Sequence, residues 1–101
     1  MTYRAVILTE TQKEYEEIVF YLVEVLKSPQ AALHFMDEFD YQIDLIVDNP
    51  ELYALSRMPE LAARGYRSVL MCSYIVLYRV YKDVVAIAHM FHQSQDYATL
   101  I

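Results

Sequence analysis

The side chains best suited to chemistry gather in the last third of the chain. His89 and His92 stand at the end of the final strand-like run, Arg64, Arg67 and Arg79 precede them, and Gln95 and Tyr97 follow. Histidine suits proton transfer near neutral pH, and arginine suits bidentate contact with phosphate or carboxylate. If Arg67 and Arg79 project from one face they form a phosphate or partner contact; on opposite faces they are ordinary edge charges. Tyr97, with Tyr66, Tyr74, Tyr78 and Tyr81, offers rings for stacking on bases or for packing against a partner, and packing is the commoner use.

Strand alternation sends His89 and His92 to opposite faces, so they do not form a ligand pair. His34, on a helical run between Leu33 and Phe35, reads as a surface or interface histidine. The 14 carboxylates show no ligand spacing beyond what two solvated helix faces require. No metal and no other cofactor is expected. Cys72, the single cysteine, excludes an internal disulfide and reads as a small buried hydrophobe within a strand.

The elements that position these residues follow from pattern. Tyr3–Leu8 is a short strand. A helix starts at Thr9 with Gln12, or at Thr11 with Glu14, as a capping pair, and Tyr15, Ile18, Val19, Leu22 and Leu26 recur at helical spacing until it ends near Lys27. Ser28-Pro29 caps a second helix, antiparallel to the first, with Ala32, Met36, Phe39, Ile43 and Ile46 inward. Asn49-Pro50 stops it. A connection of about fifteen residues follows, long for so small a domain, with a helical turn at Glu60–Arg64. Gly65 leads into strands Tyr66–Cys72, Ser73–Tyr81 and Val84–His92, the last two joined by a tight Lys82-Asp83 turn. The expected fold is α+β, in the order β-α-α-β-β-β, with the helices on one face of the sheet.

At 101 residues the chain is one domain spanning 1–101. Its apolar content of 56% and mean hydropathy of +0.16 suggest apolar surface that a partner, or a second copy in a homodimer, covers. No apolar run reaches the roughly 20 residues of a membrane span, and no signal-peptide layout opens the sequence, so a cytoplasmic protein is expected. The net charge of −6 speaks against a general nucleic-acid binder but is unevenly spread. Residues 10–60 carry twelve acids against Lys13, Lys27 and Arg57, a balance of −9, whereas residues 61–101 carry four bases against Asp83 and Asp96, a balance of +2.

The element order, with Pro29-x-Ala-Ala, Asn49-Pro50, Gly65-Tyr66-Arg67, Tyr74-Ile-Val-Leu-Tyr78-Arg79-Val80 and His92-x-x-Gln-Asp-Tyr97, resembles the RelE/ParE superfamily of bacterial toxin–antitoxin toxins. The likeness covers essentially the whole chain and leans to the ParE-like plasmid-stabilisation branch. It implies a growth-inhibiting toxin neutralised by a cognate antitoxin. RelE-like members cut mRNA on the ribosome and ParE-like members poison DNA gyrase. Cleavage by the ribose 2′-OH needs an acid, a base and cations on the phosphate. The resemblance gives His92 as the acid or base candidate with Arg67, and Arg64, Arg79, Gln95 and Tyr97 as phosphate- or partner-binding residues. The alternative for His92 is a half-exposed strand-end histidine without function. Two positions depart from the pattern, Ile75 and Ser94, where RNA-cleaving and ParE-like relatives respectively tend to carry arginine. Both remove phosphate-binding charge, which leaves three readings: a nuclease, a gyrase inhibitor that cuts nothing, or a degenerate homologue that binds only an antitoxin.

Overall fold

The computed structural model describes residues 2–101. Its strands are β1 (Arg4–Ile7), β2 (Arg67–Met71), β3 (Tyr74–Tyr81) and β4 (Val84–His92); its helices are α1 (Thr9–Phe20), α2 (Pro29–Asp48) and the short α3 (Pro59–Ala63). One sheet runs in the order β1-β4-β3-β2. β2, β3 and β4 form the expected antiparallel meander, and β1 lies parallel to β4 on the far side.

Lys27, Gly65, Cys72-Ser73 and Lys82 adopt left-handed conformations, and two of these turns flank β2. Cys72 and Ser73, at φ 50° and 71°, make the two-residue β2–β3 turn, and this conformation at both central positions matches the strand twist. Cys72 therefore sits in a turn, not within a strand, and is half-buried; burial, with Glu38 nearby, raises its thiol pKa. Gly65 has φ +82° with open space around its absent side chain, so it is backbone conformation that favours glycine there.

The two larger helices cover one face of the sheet, where Ile18, Leu22, Ala32, Phe35, Phe39 and Ile46 meet Val69, Met71, Val76, Tyr78, Val85, Ile87 and Met90. Helices do not lie on that face alone. α3 and a 3-10 turn at Tyr97–Leu100 close the other, where Leu61, Tyr66, Leu77, Ala88 and Tyr97 form a smaller core. A bulge joins the two. Leu77 pairs with His89 and Tyr78 with Ile87, leaving Ala88 as an extra residue, so Ile87 and Met90 face the same helices although three residues apart.

Ser28 caps α2 as expected, its Oγ accepting the Ala31 N–H, with Pro29 in the first turn. The start of α1 differs from the expected capping pair. Leu8 holds the N-cap position without a side-chain bond, and Gln12 Nε2 donates to the Ile7 carbonyl at 2.9 Å. Thr11 and Glu14 reach β4 instead: Thr11 Oγ1 donates to the Ile87 carbonyl at 2.8 Å, and Glu14 accepts the Met90 N–H at 3.0 Å. The reason is topological. β1 ends at Ile7, opposite Ile87, while β4 runs on to His92 with one edge open. α1 passes over into a wide π-helical turn at Tyr21–Val25, closed by the Leu26 N–H on the Tyr21 carbonyl. The extra residue per turn rotates the following side chains, and Leu26, expected inside, is exposed.

Candidate functional site

His92 ends β4 on the helix-facing side, in a cleft of about 290 Å³ walled by Glu14, Glu17, Tyr21, Tyr74 and Gln95. Its ring stands edge-on to Tyr74, with centroids 5.4 Å apart. The Ser94 backbone N–H donates to His92 Nδ1 at 3.1 Å, and Ser94 Oγ lies 2.7 Å from the same nitrogen. A nitrogen that accepts carries no proton, so the neutral ring holds its hydrogen on Nε2 and offers the cleft a donor. Gln95 completes the turn, its Oε1 accepting the His92 N–H at 2.9 Å and its own N–H donating to the His92 carbonyl at 3.0 Å. Gln95 and Ser94 thus shape the backbone and ring at His92.

The arginines are elsewhere. Arg67 pairs with Tyr78, a residue of the helix-facing core, and its Nη1 donates to the Tyr53 carbonyl at 2.7 Å. With Tyr78 Oη donating to the Pro50 carbonyl at 3.0 Å, it ties the α2–α3 connection to the sheet. Arg79, one residue beyond Tyr78, projects from the other face, where its guanidinium lies 4.4 Å from the Tyr66 ring centroid. Arg64 lies 5.4 Å from the same ring, and its carbonyl accepts from Arg79 Nη1 at 3.5 Å. Arg67 and Arg79 therefore do not share a face, and the condition for a joint phosphate contact is not met. Arg67 and His92 do share one, but they pair with Tyr78 and Tyr74 from opposite sides of β3. That separates them by roughly 13 Å along the sheet and roughly 10 Å across it.

Tyr97 is buried and stacked on Phe91, with centroids 6.1 Å apart, and it borders a depression of about 430 Å³ between the α2–α3 connection, the β2–β3 hairpin and the tail. Arg57 and Gln93 line this depression as well. Neither stands out in the sequence, because Arg57 sits in the irregular connection and Gln93 in a turn. His89 stacks on Phe91 and approaches Glu14 at 3.5 Å, on the opposite side of the strand from His92. Burial raises the Glu14 carboxyl pKa, and the Met90 N–H and His89 offset this in part. Among the described residues no three His, Cys, Asp or Glu side chains converge as a metal set, and no helix is long and apolar enough to cross a membrane.

A family model described as the ParE toxin of the type II toxin–antitoxin system, parDE, matches residues 6–97. The fold is similar to that of a chain in the chromosomal ParDE toxin–antitoxin system from P. aeruginosa, with TM-score 0.71 and 17% identity over 90% of this chain and 96% of that one. It is also similar to YafQ from E. coli strain BL21(DE3), with TM-score 0.55 and 16% identity over 98% of each chain. No curated protein matches the sequence significantly. With nearly its whole length matched by that family model, the chain belongs to the ParE toxin family of type II toxin–antitoxin systems.

Proposed function

We propose that this toxin arrests growth by binding a protein target and does not cut RNA, and that its antitoxin silences it by covering apolar surface. DNA gyrase is the target that the ParE resemblance implies. One observation carries the reading: His92 and the arginines do not converge. A phosphate attacked by a ribose 2′-OH needs cations on its own oxygens while the group that moves the proton reaches the attacking or leaving oxygen of that same phosphate. His92 instead faces the carboxylates Glu14 and Glu17, while Arg67 is engaged by Tyr53 and Arg64 and Arg79 gather over Tyr66. Carboxylates in that cleft repel a phosphate.

Supercoiling of relaxed plasmid by purified DNA gyrase, with the chain titrated in, tests the target. Supercoiling is expected to fall as the chain is added and to recover with antitoxin present. Gyrase indifferent to the chain at high excess would remove it as the target.

A further inference from the structure

α3 and the tail cover only part of the sheet face that carries the smaller core. At the end away from His92, strand pairing sets two rows of side chains on that face: Arg4, Val84 and Tyr81 in one, Val6, Ala86 and Arg79 in the next. The alternating residues Ile7, Val80, Val85 and Ile87 join the helix-facing core, which fixes this parity. Val6, Val84 and Ala86 belong to neither core and are half-buried, and Tyr81 is 70% exposed. Two more cations border the rows. Lys82 Nζ lies 5.5 Å from the Tyr81 ring centroid, and Arg64 stands with Arg79 over the buried Tyr66 ring. Four of the chain's eight lysines and arginines thus meet on one open face. Among the described residues none of the four pairs with a carboxylate, Asp83 beside Lys82 included, whereas Lys13 and Lys27 on the helical side pair with Glu10 and Glu24.

We propose that this face docks an extended acidic segment of the protein that the toxin arrests, its carboxylates on Arg4 and Arg79 and an apolar side chain between them on Val6, Val84 and Ala86. The segment's owner follows from the protein-target reading, and its acidity from the face itself. Unpaired arginine forks are ready partners for carboxylates. Spacing then selects the form of the segment. Arg4 and Arg79 stand two strands and one row apart, roughly 12 Å between Cα atoms. On an extended segment, acids four residues apart span roughly that distance, and the residue midway points the same way, toward the apolar floor. A helix of a second copy would bring carboxylates four residues apart along only about 6 Å of axis, half the span. A nucleic acid supplies anions but no apolar side chain for the floor. A long polyanion would also meet the −9 balance of residues 10–60 once it ran past these cations.

Fluorescence anisotropy tests the chemistry, with labelled peptides of the patterns Glu-Ser-Leu-Ser-Glu and Lys-Ser-Leu-Ser-Lys in otherwise identical glycine-serine flanks. The glutamate peptide is expected to bind at least about tenfold more tightly, and more weakly as salt rises. Arg4→Gln/Arg79→Gln, checked by circular dichroism for a retained fold, is expected to lose at least about tenfold in that binding. Lys13→Gln/Lys27→Gln, on the helical side, is expected to leave it unchanged. Equal binding of both peptides, binding of neither, or a helical-side effect as large as that of the arginine pair would overturn the proposal. So would tighter binding of a single-stranded oligonucleotide of the same length. Gyrase supercoiling then tests the owner: the arginine-pair variant is expected to need at least about tenfold more protein than the wild-type chain for equal inhibition. Equal potency of the two would overturn the proposal and leave the gyrase reading standing. A wild-type chain without effect on gyrase would count against that reading alone, and the peptide result would still decide what the face binds.

Discussion

The Glu14 carboxylate accepts the Met90 backbone N–H at 3.0 Å, joining residues 76 apart in sequence. With Thr11 on the Ile87 carbonyl, this makes the first turns of α1 stand in for the strand that β4 lacks beyond Ile87. Glu14→Ala is expected to destabilise the fold by about 1–3 kcal/mol, because a sheltered N–H loses its partner. Glu14→Gln keeps an acceptor and is expected to lose far less. Urea denaturation measures both, and faster hydrogen exchange at Met90 in the alanine variant alone locates the cause.

Burial holds the Glu14 carboxyl above its usual value of 4.5, and Glu10 adds to the effect, while the Met90 N–H and His89 offset it. The folded state then grips the proton more tightly than the unfolded state. Its contribution is complete below that usual value and is lost as pH rises through the raised folded one. In a His89→Asn background, Glu14→Gln is therefore expected to match its parent at pH 4 and to gain on it toward neutrality. Denaturation midpoints across pH 4–8 measure the difference. A parent that gains on the glutamine variant as pH rises would reverse the sign.

Arg67 and Arg79 are one residue out of step across the β2–β3 hairpin, and their losses are expected to differ. Arg67→Met removes a donor from the Tyr53 carbonyl and frees the α2–α3 connection, at about 1–2 kcal/mol. Arg79→Met removes an exposed cation over Tyr66, worth about 0.5–1 kcal/mol. Thermal unfolding of the two variants side by side measures the gap.

For His92, a target-binding toxin predicts full growth arrest by His92→Ala at matched expression. A nuclease using the imidazole would lose two or more orders of magnitude of cleavage, and with it the arrest. Viable counts after induction separate the two.

Much of the fold was legible in the sequence because its signals are local. Ser28-Pro29 and Asn49-Pro50 bound α2, and β4 spans the Val84–His92 stretch that β-branched residues mark out. What the sequence hid are long-range bonds and parity. Thr11 and Glu14 read as a capping pair because that pattern is local, whereas their acceptor and donor lie on the last strand. The faces of Arg67 and Arg79 follow from the Cys72-Ser73 turn, which pairs Met71 with Tyr74 and hence Arg67 with Tyr78. Neither turn residue is glycine or asparagine, so the turn that fixes this register left no strong mark. The bulge at Ala88 and the π-helical turn before Leu26 similarly shift side chains off the faces that simple periodicity gives them.

The central claim is that arrest proceeds without RNA cleavage, and mapping 5′ ends of total RNA from tightly induced cultures tests it most directly. Arrested cells are expected to show the same 5′ ends within translated messages as uninduced cells. New cuts inside those messages that appear with the wild-type chain and vanish with His92→Ala would contradict it.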